Sequence, residues 1–67
     1  MNNFKDNLYS LRKEAGYTQS YLASQIGVTQ KAIDFWEKGI NEPKASYIIK
    51  LAKIFNVTTD YLLGLES

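Results

Sequence analysis

Apolar residues along this chain recur mostly at intervals of three and four, the spacing that keeps one face of a helix against a core. Phe4, Leu8, Leu11 and Ala15 follow that rule and predict a first helix over about residues 3 to 15, with Lys5, Asp6, Arg12, Lys13 and Glu14 on its other faces. Gly16 directly after it suits a left-handed cap, and Thr18 is a natural N-cap for the next helix. That second helix runs from Gln19 to Ile26, buries Leu22, Ala23 and Ile26, and is stopped by Gly27. Val28 is the single apolar residue in the turn, and Thr29 caps a third helix from Gln30 to about Lys38 with Ile33 and Trp36 facing inward. After Gly39 the stretch Ile40 to Pro43 reads as a loop, because proline restricts the residue before it and can open the helix after it. A fourth helix carries Ala45, Ile48, Ile49, Leu51, Ala52 and Phe55, with Asn56 acceptable in the left-handed position beyond its end. A short fifth helix starts at Thr58 or Thr59 and brings Tyr61, Leu62 and Leu63. No strand-like alternation, fixed-period repeat or low-complexity segment interrupts this series, so the fold class is all-α, five short helices in one unit.

Composition changes the picture mainly by exclusion. A chain of 67 residues buries only about 60% of its unfolded surface and supports a single core, so residues 1–67 are read as one domain. With neither cysteine nor histidine, disulfide staples, the common zinc sites and imidazole acid–base chemistry are unavailable. The apolar runs fall far short of the roughly 18 residues that suggest a membrane span, and the N-terminus lacks a signal-peptide pattern, which makes the cytoplasm the expected location. Neither paired carboxylates, a glycine-rich phosphate loop nor a nucleophile with a base can be assembled; the reading is not an enzyme, with no cofactor and no metal. The formal net charge of +1 gives no bulk electrostatic argument for a nucleic-acid partner. Any such argument has to come from where particular side chains stand.

The window that supplies it is about 18–38, two short helices joined by a tight turn. Two helices that cross steeply through so few residues need a small side chain at the crossing and a glycine at the turn; Ala23 and Gly27 provide these. Leu22, Ile26, Val28, Ile33 and Trp36 then close the pair onto a common core, a pattern that fits a helix-turn-helix better than an ordinary helical hairpin. Trp36 belongs to that core on spacing rather than to a stacking platform.

Over nearly its whole length, from about Phe4 to Leu63, the sequence resembles the helix-turn-helix family of phage repressors and Cro proteins, also called the xenobiotic-response-element type. The likeness is carried by LRKEAGYTQSYLASQIGVTQKAIDFWEKG, followed by NEP and LAKIFNVTTDYLL. It implies a five-helix, lambda-repressor-like fold in which helix three is the recognition helix, working as a dimer on a palindromic double-stranded DNA operator. Gln30 and Lys31 then stand in the turn that points at base edges, and their side-chain types suit adenine and guanine respectively. Asp34 and Phe35, one turn on, are placed to accept from a cytosine amino group and to touch a thymine methyl; Asp34 has an alternative as an intrahelical partner of Lys31 or Lys38, and Phe35 as a packing residue. By the same resemblance Gln19 takes the position that bonds a phosphate at a helix start, and Arg12 and Glu37 match a partly buried ion pair between helices one and three. Thr29, Lys38, Asn41 and Lys44 are the remaining expected phosphate contacts. Three positions depart from the family pattern: Tyr21 where a capping-box Glu is frequent, Asp34 where Ser is usual, and Lys44 where a Ser or Asp cap is common. Tyr61, Leu62, Leu63 and Leu65 exceed the needs of one short helix and suggest a homodimer surface. A protein-binding module of the same fold, as in antitoxins that resemble this family, is the alternative function.

Overall fold

Each helix in the computed structural model, which describes residues 3–65, brings one wholly buried aliphatic side chain to a shared centre. The residues are Leu8 from α1 (Phe4–Ala15), Leu22 from α2 (Gln19–Ile26), Ile33 from α3 (Gln30–Lys38), Leu51 from α4 (Ala45–Phe55) and Leu62 from α5 (Thr59–Leu62). Residues 1, 2, 66 and 67 of the domain read from the sequence lie outside the described range. Phe4, Ala23, Ile26, Trp36 and Ala52 complete the buried core. Burying a side chain of leucine size contributes about 1.5–3 kcal/mol, so each of the five residues at the centre is a substantial share of what holds so small a domain together.

Local chemistry sets the helix ends where the sequence placed them. Thr18, Thr29 and Thr58 each accept a hydrogen bond at Oγ1 from the backbone N–H three residues on, from Tyr21, Ala32 and Tyr61 respectively. Every such cap satisfies one of the donors left over at a helix start. Lys44 precedes α4 without a side-chain cap, as expected of a residue that can only donate. Asn56 ends α4 in the left-handed conformation, φ 56°. At Gly27 a Cβ would meet nothing within 4 Å, yet φ is +80°. The turn between α2 and α3 therefore needs glycine for its backbone conformation rather than for space, while the close approach of the two helices is served by the buried Ala23.

α2 packs most extensively on α3, α1 crosses α3 and also touches α4 and α5, and α4 rests on α5 and α2. Asn7 of α1 donates to the backbone oxygens of Tyr61 (3.0 Å) and Leu62 (3.4 Å), fastening the short last helix to the first. Described residues span 29 × 23 × 20 Å, and no helix among them is long and apolar enough to cross a membrane.

Three expectations are corrected by the packing. Arg12, grouped by periodicity with the residues of the other faces, is only 7% exposed, because it turns inward to Glu37 on α3 and forms the ion pair that the family resemblance implied. Ile49, counted with the inward set of α4, is 48% exposed: it and Ile48 are adjacent on the helix, and only Ile48 packs on the core. Leu62, assigned to a self-association surface, is wholly buried between α5 and the rest of the domain and is unavailable to a second copy; Leu63 also packs against the core. Of that group only Tyr61 and Leu65 remain exposed.

Candidate nucleic-acid interface

The first turn of α3 is uncovered. Thr29 caps it, and Gln30 and Lys31 follow with exposed side chains, so the outward edge of the helix-turn-helix presents an amide and an ammonium group to solvent. One turn further, Asp34 and Phe35 are half-buried. Lys31 Nζ lies 5.6 Å from the centre of the Phe35 ring, a cation–π contact that gives the ammonium a resting place beside the helix. Phe35 is thus a surface aromatic and not a core residue. Trp36, next along the chain, is the core residue, packed with its ring 5.9 Å from that of Tyr47.

Behind this face runs a polar network that ties three helices together. Arg12 Nε donates to Glu37 Oε2 at 2.6 Å and its Nη2 to Oε1 at 3.0 Å, while Nη1 donates to the backbone oxygen of Tyr17 at 2.9 Å. The fork geometry suits a carboxylate, and it anchors α1 to α3 and to the start of the α1–α2 turn. Hydrogen bonding to Glu37 is the main reason the guanidinium pKa is raised further, against the opposing effect of burial.

Gln19, at the first position of α2, donates from Nε2 to Glu37 Oε1 (3.0 Å) and to Asp34 Oδ1 (3.3 Å), and its Oε1 accepts from Gln30 Nε2. Asp34 Oδ2 is paired in turn with Lys38 at 3.0 Å. Each carboxylate oxygen of Asp34 already has a partner inside the protein, the intrahelical lysine being one of the two weighed in the sequence. Sequence reasoning gave Gln19, Gln30, Asp34 and Glu37 separate roles and missed their connection. The available signal was the repeated Thr-Gln pair at 18–19 and 29–30, which puts a glutamine at the first position of two adjacent helices.

The hydrogen bonds from Lys38 and Gln19, with Lys38 first, hold the Asp34 carboxyl below its ordinary value of 3.8. A depressed folded-state value means that the contribution to stability is present above the unfolded value and lost as pH falls through the folded one. Carboxyl titration followed by NMR should place the Asp34 midpoint below 3.8 and move it upward in Lys38→Ala. An unchanged midpoint in that variant would show that the ion pair does not form in solution.

Around the far end of α3 stand the other expected phosphate contacts. Lys38, Asn41 and Lys44 are exposed, with Asn41 lining a shallow cleft beside Phe4, Lys5 and Trp36. Lys38 is the compromised one, since part of its charge is committed to Asp34.

The sequence matches the helix-turn-helix family over residues 8–62, and the chain belongs to that family. Among its relatives it is 38% identical over 64 residues to an uncharacterized helix-turn-helix-type transcriptional regulator, YqaE of Bacillus subtilis, covering 96% of this chain and 55% of that protein. It is 35% identical to the transcriptional regulator ImmR of the same bacterium over 85% of this chain and 45% of that one. It is 31% identical to repressor protein C2 of Salmonella phage P22 over 87% of this chain and 27% of the phage protein. The chain thus spans about half the length of the two Bacillus relatives. In three dimensions it superposes on the P22 c2 repressor in complex with a synthetic operator with a TM-score of 0.90 at 27% identity, covering 98% of this chain and all of that one. The solution structure of the P22 c2 DNA-binding domain gives 0.84 at 31% identity, over 94% and 86% of the two chains. The lambda-repressor-like arrangement of five helices expected from the sequence is the one observed.

Proposed function

We propose that this chain is the sequence-specific DNA-binding domain of a transcriptional regulator, a repressor, that sets α3 in the major groove of a palindromic operator. The observation that carries the reading is the uncovered first turn of α3, with Gln30 and Lys31 outward, on a framework that superposes on a repressor bound to its operator. Gln30 pairs with an adenine and Lys31 with a guanine, the base edges their donors and acceptors complement. Phe35 stands one turn behind them, where a thymine methyl is the apolar group on offer. The backbone N–H groups at the start of α2, the Thr29 hydroxyl, Lys38, Asn41 and Lys44 hold the flanking phosphates.

Two copies binding half-sites about 10 base pairs apart would match an inverted repeat, with Tyr61 of α5 and Leu65 beyond it, both exposed, as the contact between them. The cytoplasm is the compartment for such a regulator, and binding calls for neither a cofactor nor catalysis.

Selection of bound sequences from a random DNA pool, followed by titration of the winner, tests the proposal. Lys31→Ala should cost about 1–3 kcal/mol on the selected site and relax preference at one base pair, whereas Lys44→Ala should weaken selected and random DNA alike and reduce the salt slope by about one. Recovery of no preferred sequence at physiological salt would overturn the reading.

A further inference from the structure

We infer that the groove between the end of α2 and the second half of α4 docks an acidic, amphipathic peptide segment of a partner protein, one that sets an aliphatic side chain between two carboxylates. The site is separate from the α3 face and does not depend on the DNA reading.

Charge is unevenly distributed over the two helices that form the groove. α2 carries neither an acidic nor a basic residue, and the charges within α4 are Lys50 and Lys53. Three residues apart on a helix, these lysines stand on one side of it, with about 5–6 Å between their Cβ atoms. They bring two positive charges to one strip of a chain whose formal net charge is +1. Elsewhere Arg12 is held by Glu37, Lys38 by Asp34 and Lys5 by Asp6. Among the described residues neither Lys50 nor Lys53 has a carboxylate partner; Lys50 Nζ lies 5.5 Å from the centre of the Tyr47 ring instead. Both helices end near the groove, and their C-terminal dipoles bring about half a negative charge each, which two ammonium groups outweigh.

Between the lysines and α2 the surface is apolar. Ile26, buried at the end of α2, and Ile54, half-buried on α4, line a shallow trough of about 430 Å³ together with Gln25, Lys50 and Lys53. Ile49, exposed one turn before Lys53, extends the apolar strip along α4. A trough this open does not enclose a small molecule, but it accepts one or two side chains of a peptide laid across it. A leucine or isoleucine matches the isoleucine surface, carboxylates on either side of it meet the two ammonium groups, and the Gln25 amide is available to a peptide backbone group.

DNA is the other polyanion that two lysines could attract, and their position argues against it. Lys53 follows Lys44, an expected phosphate contact, by nine residues, which places it about 13 Å along α4 and about half a turn around it. That separation exceeds the roughly 8–10 Å over which exposed charges act together at physiological salt. A phosphate also gains nothing from the isoleucines.

Selection from a random library of displayed peptides about twelve residues long, with this chain as bait, tests the site. The enriched peptides are expected to carry Asp or Glu on both sides of a Leu, Ile or Val. On titration with a winner, amide NMR shifts should gather at Gln25, Ile26, Lys50, Lys53 and Ile54 and spare Gln30 and Lys31. Lys50→Glu/Lys53→Glu should weaken that peptide by about tenfold or more, while Lys50→Arg/Lys53→Arg keeps it within about threefold, since a guanidinium also pairs with a carboxylate. Lys50→Gln/Lys53→Gln, which removes the charges without reversing them, reads the same loss where the reversal perturbs folding, and unfolding curves identify that case. No enrichment, winners without acidic residues, or shifts centred elsewhere would overturn the proposal. On DNA the charge-reversal variant should keep the wild-type salt slope; a slope reduced by about one or two would assign the lysines to phosphates and also overturn it. Peptide binding is read without DNA, so failure of the α3 reading leaves this result intact.

Discussion

Arg12→Ala should destabilise the folded protein by about 3 kcal/mol or more, the range expected when one partner of a buried ion pair is removed and the other stays behind. Glu37 would keep a charge in a site where its present partners are the Arg12 fork at 2.6 and 3.0 Å and the amide of Gln19 at 3.0 Å. The amide cannot replace the lost cation. The backbone oxygen of Tyr17 also loses its donor, loosening the entry to α2. A domain of this size has a total stability on the order of 3–10 kcal/mol, so the variant would populate unfolded chains near room temperature. Exchanging both residues for apolar ones of similar volume, Arg12→Met with Glu37→Leu, should cost much less, because no unpaired charge is left. Because the guanidinium pKa is raised from an already high value, its contribution is present throughout the working range of pH and is lost only in strong alkali. Urea unfolding of the single and double variants makes the comparison. A loss under about 1 kcal/mol for Arg12→Ala would mean that the pair behaves as a surface contact.

Leu62→Ala is expected to rival it, at about 2–5 kcal/mol, through the cavity left when a wholly buried leucine is cut back. The same substitution discriminates between two roles for the end of the chain. If Leu62 is core, the loss is the same at every protein concentration, and Leu65→Ala, which trims a residue 71% exposed, leaves the unfolding midpoint nearly unmoved. Leu65→Ala should instead weaken binding to a full palindrome more than to an isolated half-site, as a contact between copies would. Unfolding at two protein concentrations with titrations on both DNA lengths would expose the opposite case, a Leu62→Ala protein that is stable but no longer pairs on DNA.

The elements were largely legible because their ends are local chemistry. Thr18 and Thr29 cap their helices, Gly27 takes a positive φ between them, and the apolar intervals in α1 to α3 name Leu8, Leu22, Ala23, Ile26, Ile33 and Trp36 as core residues. Periodicity failed where a residue's environment depends on a different helix. Arg12 stands four residues after Leu8, on the flank of the buried stripe of α1, where its charge argues against burial until Glu37 arrives from 25 residues away to pair with it. Ile48 and Ile49 cannot be ranked from spacing alone, since either could face the core until α4 is docked. Leu62 looked surplus because a four-residue helix offers too little pattern to show that its neighbours already need it.

The candidate site divides in the same way. That Gln30 and Lys31 follow a capping threonine and stand in the first turn of α3 was written in the chain. That Gln30 is bonded to Gln19, that Gln19 donates to Asp34 and Glu37, and that Lys38 gives part of its charge to Asp34 was not. The sequence by itself determined the helices, their caps and the turn that brings α2 onto α3, since those depend on groups a few residues apart. Only the tertiary structure decided which polar side chains are spent on one another and which are left for a partner. A hydrogen bond or ion pair across helices exists only once packing has brought its two ends within about 3 Å, and no interval along the chain encodes that distance.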